Sequence, residues 1–205
     1  MSEQFYLLER KSILPATWGD YGSILEHGMS HTERGEKQLL LERTGPYITA
    51  VTFPGPGDIV LTSSARDILE SSSLTGVSFA PVEKMRIVEL HWERWDLRDD
   101  EPAEFPDSGE PEDYILTGVH DPATAEALGD LWQVVVPNSA RILRKTPAVR
   151  SFMPIGEVRL ERSSWNGADL FRSADVLYTF CTARAKDWFL ARWGLYVGFQ
   201  SVETT

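Results

Sequence analysis

Apolar residues recur along this chain with two periods, and the changes between them mark its elements. Residues 5–9 and 47–53 read as strands, and 86–92 alternates Val88, Leu90 and Trp92 against Glu89, His91 and Glu93. Ala65, Ile68 and Leu69 fall at i, i+3, i+4, as do Ala185, Trp188 and Phe189, which predicts an apolar stripe on helices near 62–73 and 183–193. Thr62 or Ser63, and Thr182, suit the N-caps, with Asp67 and Asp187 near the positive helix start. Gly76 ends the first helix, and Val77 and Phe79 begin a strand. Asp121 and Pro122 open a short helix that Gly129 closes, and 131–136 is a mostly apolar strand.

The two helical blocks also match as sequence. Shifted by 120 residues, Thr62, Ala65, Asp67, Val77, Phe79, Val82 and Glu83 meet Thr182, Ala185, Asp187, Val197, Phe199, Val202 and Glu203. Upstream, Leu41-Glu-Arg-Thr44 echoes Leu160-Glu-Arg-Ser163 at a shift of 119. Each half reads as strand, strand, helix, strand. The expected fold is α+β, a mixed sheet with flanking helices, in two similar halves (1–95 and 114–205) of one compact domain.

Charge separates the halves. The 205 residues hold 31 acids and 20 bases, a formal charge of −11, and 96–113 carries nine carboxylates against Arg98 alone. With Pro102, Pro106, Pro111 and Gly109 in it, that segment reads as an exposed acidic connecting loop without a regular element. Such a balance repels nucleic acid and anionic lipid and attracts a basic protein. The first residues lack a basic start and apolar run, no apolar stretch is long enough for a membrane helix, and Cys181 is the single cysteine. These features predict a soluble protein of a reducing cytoplasm.

No motif of catalytic or ligand-binding strength is present. His27 and His31 have metal-ligand spacing, but the Gly-Met-Ser between them suggests a loop with surface histidines. Asp121 has a capping role that removes it from a base–carboxylate pair with His120. His91 falls on the polar face of its strand, and Cys181 sits among apolar neighbours, as a buried, inert thiol would. Gly55-Pro-Gly57 lacks the lysine and spacing of a phosphate loop, and the acidic run lacks the glycine and ligand spacing of a calcium loop. The expectation is no catalytic residue, no cofactor and no metal. The candidate partner-binding residues are Asp99, Asp100, Glu101, Glu104, Asp107, Glu110, Glu112 and Asp113, with Trp95 as an aromatic anchor.

Asp169-Leu-Phe-Arg-Ser-Ala-Asp175 with 182–199, and the block from Gly57 to Val82, resemble segments of bacterial polymorphic-toxin immunity proteins. The group most similar is the myxobacterial family with two Cys-x-x-Cys-Gly motifs. The likeness covers about a quarter of the chain, and Cys-x-x-Cys is absent here, so no metal role carries over. The resemblance implies a cytoplasmic protein that binds a cognate toxin and blocks it; it transfers no catalytic residue. A small enzyme, either a hydrolase or one reversing a toxin's modification, and an adaptor are the alternative classes.

Overall fold

The computed structural model describes residues 3–31, 38–144 and 158–205. A six-stranded mixed sheet runs in the order β11 (Leu170–Ser173), β12 (Val176–Thr182), β1 (Phe5–Arg10), β13 (Val197–Thr204), β10 (Val158–Glu161), β9 (Arg141–Arg144). A four-stranded sheet runs β4 (Val51–Thr52), β5 (Val60–Thr62), β8 (Leu131–Val135), β6 (Ser78–Pro81), and a three-stranded one β2 (Met29–Ser30), β3 (Leu40–Gly45), β7 (Glu83–Glu89). The smaller sheets meet at Val82, whose N–H bonds to Leu131 O while that of Glu83 bonds to Leu39 O. Together they repeat the order of the six-stranded sheet. The break between β6 and β7 falls at Val82, just after Pro81, which has no N–H for the ladder; the equivalent Ser201 and Val202 lie inside the unbroken β13.

Pairing registers carry the repeat further than the residues do. Val51 pairs with Leu61, and Leu170, at the shifted position, with Cys181. Leu41 pairs in parallel with Lys84, and Leu160 with Thr204. The strands that complete the sheets cross over. Trp132 of β8 lies between Leu61 and Pro81, whereas Tyr6 of β1 lies between the equivalent Cys181 and Ser201. Each half therefore lends its first strand to the sheet of the other.

Helix α2 (Ser63–Glu70) and helix α5 (Ala183–Trp193) start alike, with Thr62 and Thr182 each accepting, at 3.3 Å, the N–H of the third residue on. Their buried faces join one core, where Leu61, Ala65 and Leu69 meet their counterparts Cys181, Ala185 and Phe189. Ile68, expected on the buried stripe, is 45% exposed, and its counterpart Trp188 packs half-buried against Phe189 and Trp193. Helix α2 also stops at Glu70, short of the expected 73. The buried Asp169 ties the halves together. Its carboxylate accepts from Thr75 N (2.9 Å), Thr75 Oγ1 (3.0 Å), Thr182 Oγ1 (3.1 Å) and Arg184 Nη1 (3.1 Å). Asp169 in the Asp-Leu-Phe-Arg stretch thus has a structural role.

Other expectations need correction. Of 47–53, only β4 is strand. In β7 the buried residue is Ile87, opposite in phase to Val88, because this parallel strand meets Ala125 and Leu128 of the segment beginning with helix α4 (Pro122–Ala127). His27, expected in a loop, is the last residue of helix α1 (Gly19–His27).

Phe5 of β1 is buried against Trp165 and Phe171, so Phe5→Ala should cost about 3–5 kcal/mol. Because β1 belongs to the opposite sheet, hydrogen exchange should rise first at 179–182 and 199–202. Faster exchange confined to β5 and β8 would contradict the crossed arrangement.

Candidate partner-binding surface

The acidic segment is exposed in its carboxylates, yet it is bound to the fold rather than loosely linking two parts. Tyr47, Trp92, Trp95 and Tyr114 pack with Leu14, Trp18 and Leu25 into an aromatic cluster beside helix α1. Trp95 touches Trp18, Trp92 and Tyr114 at centroid distances of 5.6–5.7 Å. Two side chains then hold the segment: Trp18 Nε1 donates to Asp99 O at 2.7 Å, and Tyr21 Oη donates to Gly109 O at 2.5 Å. Phe105 meets the Tyr21 ring edge to face at 4.9 Å, and Pro102 and Pro111 are buried. A short helix α3 (Asp113–Leu116) ends the segment, correcting the expectation of no regular element.

The candidate residues sort into three groups. Asp99 and Glu104, with Asp96, line a cavity of about 240 Å3 whose aromatic walls are Trp18, Trp95 and Tyr114. Asp100, Glu101, Asp107 and Glu110 are exposed and lie outside that lining. Glu112 and Asp113 are half-buried at the start of α3, where Asp113 accepts from Ser108 Oγ. Among the described residues, no carboxylate of 96–113 forms an ion pair with a cationic side chain. Trp95 is half-buried within the cluster, so it acts as a wall rather than a protruding anchor. Sequence reasoning missed Trp18, Glu89 and Tyr114 at this cavity, because no period or motif connects them to 96–113.

A larger hollow, about 430 Å3, lies between β1 and the turn at 53–57. Its charged walls are Glu9 and Arg10, and Glu9 already accepts from Gln200 Nε2. In the acidic cavity Asp96, Asp99 and Glu104 form no ion pair among the described residues.

The histidines do other work. His27 is 1% exposed, contrary to the expectation of a surface residue, since α1 turns it inward. Its Nδ1 accepts the N–H of Phe53 at 3.2 Å, while burial, with Arg10 and Arg43 nearby, lowers its pKa to about 3. His31 lies beyond β2 on Glu42, 2.9 Å away, and no group of three potential ligands is placed to hold a metal among the described residues. His120 Nδ1 accepts from Ile87 N at 3.0 Å, and Asp121 caps α4 through Thr124 N at 2.8 Å. His91 is exposed between Glu89 and Glu93. Cys181 is fully buried, which pushes its thiol pKa far up. Arg43, also fully buried, spends its cation on the carbonyls of Glu26, Thr44 and Tyr47. Among the described residues no helix is long and apolar enough to cross a membrane.

Removing both anchoring donors with Trp18→Phe and Tyr21→Phe should cost roughly 1 kcal/mol each. A glutamate-specific protease should then cut within 101–112 well before the rest unfolds; unchanged cleavage would mean that other contacts hold the segment. A second outcome follows from His27. A buried imidazole with a lowered pKa stabilises the fold fully above its unfolded pKa of about 6.5 and progressively less below it. Between that pH and about 3, wild-type stability should lose up to about 1.4 kcal/mol per pH unit relative to His27→Asn, measured by urea titration. Parallel pH profiles would remove His27 as the cause. No family model, curated protein or solved structure matches this chain.

Proposed function

We propose that this protein is an immunity protein, which neutralises a cognate toxin in the bacterial cytoplasm by stoichiometric binding through its acidic face. The observation that carries the reading is the set of carboxylates at 96–113, free of ion pairs among the described residues and mounted on an aromatic base. With its carboxylates not ion-paired, such a surface keeps its field available for a basic protein. Because Trp18 and Tyr21 fix its backbone, little loop ordering is left to oppose binding. The resemblance of 169–175 and 182–199 to immunity proteins points the same way. Neither reading calls for a reaction, a metal or a nucleic acid.

Long-range attraction by exposed charges acts chiefly on the association rate, and salt screens it as the Debye length falls from ~10 Å at 0.1 M to ~3 Å at 1 M. Asp100→Asn, Glu101→Gln, Asp107→Asn and Glu110→Gln together leave the cavity lining untouched. Surface-plasmon kinetics on the cognate toxin should show association slowed about tenfold or more at low salt. The melting temperature should stay unchanged. Equal association rates for wild type and variant would reduce 96–113 to a solvated surface and remove the basis of the reading.

A further inference from the structure

The cavity beneath the acidic segment combines ring faces with carboxylates, and the two together select a narrow class of ligand. Half-buried Trp95 and Tyr114 stand at 64° to each other and supply the ring surface open to the cavity, while Trp18, 2% exposed, backs Trp95 at 42°. Around them stand Glu89, Asp96, Asp99 and Glu104, opposed by Arg94 and the His91 that already lies against Glu89 and Glu93. The Tyr114 hydroxyl is buried without a hydrogen-bond partner, and burial pushes its pKa up to about 12, which leaves a neutral phenol oxygen able to accept.

We propose that this cavity receives an arginine side chain of the partner, an assignment that rests on the acidic-face reading above and narrows it to one guanidinium. A planar, weakly hydrated cation stacks on indole and offers a fork of donors to carboxylates. A compact ammonium keeps its hydration more strongly and cannot stack. The molecule stacks guanidinium on indole elsewhere: Arg66 lies 4.4 Å from the centre of the Trp132 ring, and Arg192 lies 4.3 Å from that of Trp188. Trp18 is already fixed by its bond to Asp99 O, so that wall needs no ordering when the ligand enters. A metal ion is a poorer occupant, because among the described residues no three potential ligands converge.

The test needs no partner. The full chain, labelled with 15N, is titrated with N-acetyl-arginine amide while the indole N–H resonances of its tryptophans are followed. Saturable shifts at Trp18 and Trp95 are expected, with millimolar affinity for so small a probe. The neutral isostere N-acetyl-citrulline amide should leave them in place, and N-acetyl-lysine amide should bind more weakly. Asp96→Asn with Glu104→Gln, whose folding is checked by melting temperature, should weaken the arginine probe about tenfold, as the loss of charge-assisted bonds implies. Equal shifts with citrulline, lysine binding as tight as arginine, or an unaffected double variant would each overturn the assignment. Failure here is distinguishable from failure of the acidic-face reading, because the latter is measured on carboxylates outside the cavity.

Discussion

The crossed first strands are the constraint on which the rest of this structure depends. β1 supplies the middle of the six-stranded sheet, between β12 and β13, and β8 fills the equivalent place between β5 and β6. Neither half can complete its ladders with its own strand in this arrangement. Backbone N–H and C=O groups left open in a buried sheet are costly, so the exchange binds the halves more firmly than side-chain contact alone. Glycine permits the closest approaches. A Cβ on Gly76, at φ +83°, would lie 2.1 Å from Leu170 O, and one on Gly57, at φ +75°, 2.1 Å from Leu177 O. At both places the backbone of one half presses on that of the other, where no side chain could be placed.

On this near-symmetric frame, the asymmetric parts carry the distinctive chemistry. Between β7 and α4 lies an aromatic and acidic segment, outside the parts of the chain that repeat. Tyr21 of α1 and Trp18 in the turn just before it, between the first strand and the rest of its half, reach across to that segment. The acidic face is thus supported by residues about 80 positions earlier in the chain, which gives it a fixed shape on a rigid core. The buried Glu26 accepts from Ser12, Ile13 and Leu14, while Arg43 donates through Nε and Nη2 and its Nη1 is left without a partner among the described residues; both sit where α1 packs on β3.

Sequence patterns revealed the caps at Thr62, Thr182 and Asp121, because capping is local chemistry written in adjacent residues. They also revealed the two halves, since helix stripes and following strands share spacing as well as residues. The exchange of β1 and β8 was hidden: Phe5-Tyr-Leu-Leu and Leu131-Trp-Gln-Val share apolar character without identity, and no local signal states which sheet a strand joins. Helix α1 was hidden by Gly19, Gly22 and Gly28, which resemble loop composition. The phase of β7 was misread since a parallel strand packed on helices does not keep one clean solvent face. For the candidate surface, the carboxylates were visible as composition, whereas the cavity was not. Its walls come from Trp18 before α1, the end of β7 and the stretch after it to 104, and Tyr114 of α3, joined only by tertiary packing of rings.

The order in which the strands occur has a consequence for synthesis. β1 is made well before both of its neighbours, β12 and β13, which begin more than 160 residues later in the chain. At translation rates of about 5–20 residues per second, residues 5–10 wait roughly ten to forty seconds before their partners exist. During that interval the apolar side of Phe5-Tyr-Leu-Leu is uncovered, a strand with two open edges of the kind that recruits other chains. The first half meanwhile also lacks β8, so its own sheet has a gap until residue 135 has left the tunnel. Until β12 and β13 are made and both sheets close, those open edges remain exposed to pairing with other chains.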